Sequence, residues 1–224
     1  MIPLKDDIPS GRFPIITWIL IVANIGIFIY EKLVGLPYIV QKYGCIPFEI
    51  IHGVDLPPYV DTPIYVNIIT SMFLHGSWLH LIFNMLFLFV FGDNVEDWFG
   101  HFKFLFLYII CGLAGALSQI IASINSRIPM VGASGAIAGV MGSYLVLYPR
   151  AKILTIFPFF IFIRIILLPA WFYLGYWIAL QVLGSMFTPA YTAGVAFLAH
   201  LGGFFAGMFI TLYAKIHRSL KSKK

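Results

Sequence analysis

Long apolar runs separated by short polar breaks dominate the chain. They fall at about 14–30, 77–92, 102–122, 133–148, 170–187 and 193–214. A helix needs about 20 apolar residues to cross about 30 Å of hydrocarbon, and each run is near that length, the second and fourth being short. Gly92-Asp93 ends the second run, Pro149-Arg150 the fourth, and Pro169 opens the fifth at a favoured first-turn position. The pattern predicts an all-α membrane protein, a bundle of six transmembrane helices forming a single domain over 1–224. A short segment, 1–13, precedes the first helix, and a basic tail, 215–224, follows the last. The first run, Pro14 to Tyr30, exceeds the usual signal-peptide core of about 7–15 residues. It is followed by Glu31-Lys32 rather than a small-x-small cleavage site, so it is expected to be a retained helix.

Two stretches depart from this pattern. Residues 31–76 form a long first loop, rich in Pro, Tyr and Ile, with the acids Glu49, Asp55 and Asp61. It is too apolar for a solvated loop and is expected to lie partly in the membrane interface. Residues 153–168 are apolar but contain Pro158 and Arg164, and are expected to form an interfacial re-entrant turn.

Composition agrees with a lipid solvent. Apolar residues make up 61% and charged residues 10%, with mean hydropathy +0.95. Soluble domains are about 45–50% apolar and about 25% charged, so these charges are too few to cover a water-facing surface. Net charge is +5, but the bases gather at span ends and in the tail, which suits anionic lipid headgroups rather than nucleic acid. With both termini in the cytoplasm, Lys5, Arg12, Lys103, Arg150, Lys152, Arg164, Lys215, Arg218, Lys221, Lys223 and Lys224 lie inside and Lys32, Lys42 and Arg127 outside, 11 against 3. That is the orientation the Lys/Arg bias favours. Cys111 sits in an apolar run, so no disulfide with Cys45 is expected.

Polar residues in hydrocarbon are costly and mark function. His80 and Asn84 stand out in the second span, Ser134 at the start of the fourth, and His200 in the sixth. Ser134 precedes Arg150 by 16 residues and His200 precedes Lys215 by 15. At about 1.5 Å per residue both lie roughly 22–24 Å above the inner edge, with His80 roughly 20 Å above its own. Asn84 is one turn deeper on the His80 face. The small-residue faces Gly135-xxx-Gly139 and Gly203-xxx-Gly207 allow close helix approach. A histidine beside a serine can take its proton, and the alkoxide can then attack a carbonyl. Donors for the developing oxyanion are available from the Ser134 backbone N–H at a helix N-terminus, from Asn84 and from His80. After Asp97 the chain has no acid, and the earlier acids fall in predicted loops or the N-terminal segment, so a Ser–His dyad without an acidic third member is expected. His75 and His80 lack an acid or cysteine partner, so no metal and no cofactor is expected. Singly, each residue has a commoner structural reading: a packing serine, a satisfied interior histidine, a helix–helix asparagine. Their agreement in depth and helix direction carries the chemistry.

His80-Leu-Ile-Phe-Asn84, Gly132-Ala-Ser-Gly135-Ala-Ile-Ala-Gly139 and Ala199-His200-Leu-Gly-Gly203-Phe-Phe-Ala-Gly207 together resemble the three signatures of the rhomboid family of intramembrane serine proteases, in order and spacing, from about residue 14 to 214. The resemblance implies a six-helix core, a Ser134–His200 dyad, and an oxyanion site helped by His80 and Asn84. It implies a water-filled cavity open to the outside, with the fifth span and the loop at 188–192 as gate and cap. The implied partners are single-span membrane protein substrates cut in or near their transmembrane segment. Many members carry an aromatic residue four positions after the serine, beneath the histidine. Here that position is Ala138, so support for the His200 ring is expected from elsewhere. The first loop also lacks the Trp-Arg pair of many members. The competing reading is a catalytically inactive binder of membrane helices in quality control. A solute transporter is disfavoured because no acid lies in the predicted spans and no inverted repeat is visible. The absence of large extra domains and of a transit peptide gives a prokaryotic plasma membrane as the expected location.

Overall fold

The computed structural model describes residues 1–159, 162–189 and 194–221. In chain order these form β1 (Ile2–Lys5), α1 (Ile15–Val34), α2 (Leu36–Tyr43), α3 (Pro47–His52), α4 (Asn67–Thr70), α5 (Trp78–Phe99), α6 (His101–Ala122), α7 (Ser134–Leu147), β2 (Lys152–Phe159), β3 (Phe162–Pro169), α8 (Ala170–Phe187) and α9 (Phe197–Lys221). Among the described residues, α1, α5, α6, α8 and α9 are long and apolar enough to cross a membrane. The apolar helix α7 has 14 residues. Its lipid exposure is small: the ten residues Gly135 to Tyr144 are all buried. Exposed Ile, Phe and Leu side chains line the outer faces of the longer helices, as a hydrocarbon solvent allows.

Glycine sets the centre. A Cβ added to Gly203 would collide with the Gly135 carbonyl, one at Gly207 with the Gly139 carbonyl, and one at Gly142 with the Phe204 carbonyl. The backbones of α7 and α9 therefore touch along several turns, which only small residues permit. On this seam the Ser143 hydroxyl lies 2.9 Å from the Gly139 carbonyl and 3.1 Å from that of Gly207. α6 packs into the same centre: a Cβ on Gly115 would strike the Ala199 carbonyl and one on Gly202 the Ser118 side chain.

Several expectations are corrected here. Residues 153–168 are not a re-entrant turn but a β-hairpin, β2 and β3, paired from Lys152↔Pro169 through Ile156↔Ile165 and beyond. The N-terminal segment adds β1 antiparallel to β2, giving a three-stranded sheet of order β1-β2-β3. The fold is thus mostly helical rather than all-α. Period-2 alternation is the cause: Ile153 and Thr155 are buried, whereas Ile163, Ile165 and Leu167 share the exposed face of β3. Pairing also satisfies backbone groups that an isolated apolar turn would leave open.

α5 runs on past Gly92-Asp93 to Phe99. Gly92 is a place of close approach, since a Cβ there would lie 3.0 Å from the Thr17 side chain. The acids are accordingly not confined to loops. Glu31 lies inside α1 and Glu96 inside α5, both buried. Glu96 supplies the cap that α1 lacks: its carboxylate accepts from Ile16 N (2.8 Å), Thr17 N (2.7 Å) and Thr17 Oγ1 (2.7 Å), and His101 Nδ1 lies 2.5 Å away. Free N–H groups at a helix start favour such an anion.

The stretch between α1 and α5 holds α2, α3, α4 and two 3₁₀ turns; Cys45, Ile46 and Glu49 before its middle and Ser71, Met72 and Leu74 after it are buried, whereas residues 51–66 are not. Cys45 and Met130 exchange backbone hydrogen bonds of 3.0 and 2.8 Å, and Gly132 N donates to Ser71 O at 2.8 Å. These bonds hold the segment that leads into α7. Both cysteines are free and buried. The sixth expected span, from 193, is seen from Phe197, and the tail expected from 215 is helical to Lys221. Residues 190–193, within the expected cap and span start, and 222–224 of the tail lie outside the described residues.

Two outcomes test this architecture. Gly207→Val should abolish recovery of folded protein in detergent, because the branched side chain has no room against the Gly139 backbone; a normally folded variant would contradict the seam. At the other end of α7, Tyr144 donates its hydroxyl to Asp6, and Asn94 Nδ2 donates to Asp6 at 2.9 Å. Burial raises the Asp6 carboxyl from 3.8 to about 6, the Tyr144 bond opposing the shift and Asp93 adding to it. Between those values the folded chain holds a proton that the unfolded chain has lost, so stability falls as pH rises. Asp6→Asn should flatten that fall, measured as melting temperature against pH from 4 to 7.

Candidate active site

Ser134 opens α7, directly after Ala133. Its side chain is placed by the bend at Gly132, where φ is +130°, a conformation suited to glycine. The first-turn N–H groups of α7, including that of Ser134, have no acceptor within the helix and point toward the space before it. His200 lies in the first turn of the described part of α9. Because α7 and α9 touch at Gly135 and Gly203, the two side chains meet: Ser134 Oγ and His200 Nε2 are 2.8 Å apart across 66 positions of sequence.

His80 and Asn84 project from α5. Ser77 caps that helix, its hydroxyl accepting from His80 N at 3.2 Å. The His80 ring sits against Gly132, where an added Cβ would be 2.7 Å from its Cε1 and Nε2 and 3.6 Å from Ser134 Oγ. Asn84 is buried, and its Nδ2 has no hydrogen-bond partner among the described residues. Both line a cavity of about 490 Å³ with Ser134 and His200, and the cavity reaches exposed residues at Gly76, Leu79, Gly194 and Val195. The structure therefore brings Ser134, His200, His80 and Asn84 into one hollow. Gly135, Gly139, Gly203 and Gly207 stand behind it, at the helix seam.

The arrangement can pass a proton from hydroxyl to imidazole and can present donors to an anion at the start of α7. Among the described residues no three His, Cys, Asp or Glu side chains are placed to hold a metal. His75 is buried behind His80, with ring centroids 5.1 Å apart, and its backbone N–H lies 3.2 and 3.3 Å from the Glu31 carboxylate oxygens. That carboxylate is thus engaged away from Ser134 and His200.

Two neighbours of His200 went unnoticed in the sequence. Gln181 Oε1 lies 2.7 Å from His200 Nδ1, and the Trp177 ring lies 5.7 Å from the imidazole, tilted 36°. Both come from α8 and supply what Ala138 does not. A signal existed: Gln181 is an uncharged polar residue inside an apolar span, the same criterion that marks Asn84.

The fold and site define a class, a multi-pass helical membrane protein with a serine–histidine pair in a cavity between helices. Comparison with known proteins agrees: the family described as Rhomboid domain matches residues 64–216, and the chain belongs to the rhomboid family. Its relatives include Rhomboid protein 1, mitochondrial, of Saccharomyces cerevisiae, 39% identical over 98 residues that cover 42% of this chain and 28% of the relative. Rhomboid protease AarA of Providencia stuartii is 31% identical over 144 residues, covering 58% and 50% of the two chains. Rhomboid protease GluP of Bacillus subtilis is 37% identical over 79 residues, covering 35% and 15%. The matches thus span half or less of these relatives' own lengths. Relatives whose names give a compartment are mitochondrial or chloroplastic, so the expectation of a prokaryotic plasma membrane finds no support in them.

Gly132→Ala should cost about 1–3 kcal/mol of stability, from the positive φ and the collision with His80. Unfolding in detergent measures this, and an unchanged stability would contradict the close approach.

Proposed function

We propose that this protein is an intramembrane serine endopeptidase that cuts single-span membrane proteins in or near their transmembrane segment by a Ser134–His200 dyad. One membrane domain carries the activity, with α7 as a sixth, short spanning helix beside α1, α5, α6, α8 and α9 and with both termini in the cytoplasm. The observation that carries the reading is the 2.8 Å contact of Ser134 Oγ with His200 Nε2 inside a cavity.

His200 Nε2 takes the hydroxyl proton as Oγ attacks the scissile carbonyl, forming a tetrahedral intermediate. The oxyanion is received by the Ser134 backbone N–H, Asn84 Nδ2 and the His80 ring, donors fixed before the charge develops. His200 then gives its proton to the leaving amine, and the acyl group stays on Oγ. A water entering the cavity repeats the sequence, with His200 again as base, and frees the new carboxyl end. Asn84 Nδ2, unpartnered and lining the cavity, supports this assignment, since a buried donor is costly unless a ligand completes it. The chemistry needs no cofactor.

Ser134→Ala and His200→Ala should each abolish cleavage of a single-span substrate in proteoliposomes, with fluorophosphonate labelling lost from Ser134→Ala. Asn84→Ala should lower kcat by about 10²–10³, as removal of one oxyanion donor does. Undiminished cleavage by Ser134→Ala would end the protease reading, and a folded wild-type protein that neither cleaves nor labels would favour a helix-binding role.

A further inference from the structure

A histidine can act as base toward serine only if the nitrogen facing the hydroxyl lacks a proton. Neutral imidazole carries its single proton on one nitrogen or the other, and the partner of the far nitrogen selects which. In the Ser–His–Asp arrangement a carboxylate makes that selection. Here no acid follows Asp97, and the Glu31 carboxylate is engaged with the His75 backbone. The atom that faces His200 Nδ1 is Gln181 Oε1, at 2.7 Å.

An amide oxygen accepts and cannot donate. The amide is oriented by its other end: Gln181 Nε2 donates to the Trp177 carbonyl at 3.4 Å, one helical turn back on α8. Reversing the amide would set two oxygens against each other there and two N–H groups, or a donor against a bare lone pair of the wrong tautomer, at His200. Gln181 is 9% exposed, so water competes little for the bond. Trp177 flanks the same ring and packs in turn on Phe204, centroids 6.1 Å apart, so the imidazole plane is held as well as its tautomer.

We infer that Gln181 is a positioning residue of the Ser134–His200 pair: it keeps the proton of neutral His200 on Nδ1, leaving Nε2 free to take the proton of Ser134. The inference rests on the protease reading. A neutral acceptor takes the place that the carboxylate holds in the Ser–His–Asp arrangement. The acceptor sits on α8, whose buried residues are few, Ala170, Tyr173, Leu174 and Gln181. The competence of the base therefore depends on the position of a lightly held helix.

The test compares Gln181→Met, which keeps the length and removes the acceptor, with Gln181→Glu, which keeps an acceptor in place. Cleavage of a reconstituted single-span substrate and the rate of fluorophosphonate labelling at Ser134 are both measured. Loss of one hydrogen bond of ordinary strength predicts a fall of about five- to tenfold in kcat for Gln181→Met, with KM unchanged, and an equal fall in labelling rate. Gln181→Glu should retain labelling and cleavage within about threefold of wild type. Gln181→Asn, which withdraws the acceptor by one methylene, should lose activity like Gln181→Met and serves if the latter does not fold. Wild-type kcat and labelling in Gln181→Met or Gln181→Asn, or equal losses in Met and Glu variants, would overturn the role of Gln181. Failure of the wild type to cleave and label would instead sink the protease reading, and this inference with it.

Discussion

Backbone contact between α7 and α9 is the constraint on which the rest depends. In lipid, apolar side chains gain nothing by leaving hydrocarbon for one another, so helix association rests on close packing and polar contacts. Glycine at 135, 139, 203 and 207 removes the side chains that would hold the axes apart. The consequence reaches the site directly. Ser134 adjoins Gly135 and His200 lies one turn before Gly203, so the seam that joins the helices also sets the distance between hydroxyl and imidazole.

Around that seam, buried polar groups are satisfied by partners distant in sequence. Glu96 in the last turn of α5 caps α1, while Glu31 near the other end of α1 accepts from the His75 backbone just before α5. The two carboxylates bind the same pair of helices at opposite ends. α5 is thereby fixed as a rigid carrier of His80 and Asn84. The Cys45–Met130 and Ser71–Gly132 bonds fix the approach to α7 from the other side. Asn84 Nδ2 is one of several buried polar atoms left without a partner among the described residues, and it faces the cavity, which is where a reaction would require a donor.

How much of this was legible in the residues varied with the range of the interaction. The apolar runs located α6, α7 and α8 closely, because burial in lipid is a local property of composition, and they stopped α1 at Tyr30 rather than Val34. They ended α5 too early, because Gly92 looks like a stop until Thr17 is seen against it. The hairpin at β2 and β3 was missed because Pro158 and Arg164 resembled breakers in an interfacial segment, whereas the deciding feature was an alternation completed by β1, some 150 residues away. The buried acids were misplaced with the helix ends.

Ser134, His200, His80 and Asn84 could be named from the chain alone, since polar groups in a span are few and their depth follows from helical rise. The sequence by itself thus determined the solvent, the principal helices and the chemical inventory. Tertiary structure alone decided which groups meet: that Gln181 and Trp177 of α8 take the place beside His200 that Ala138 leaves open, and that Glu31 and Glu96 serve helix ends rather than the pair. The physical reason is that hydropathy and rise act along one helix, whereas a hydrogen bond depends on the rotation and separation of two helices, which only packing fixes.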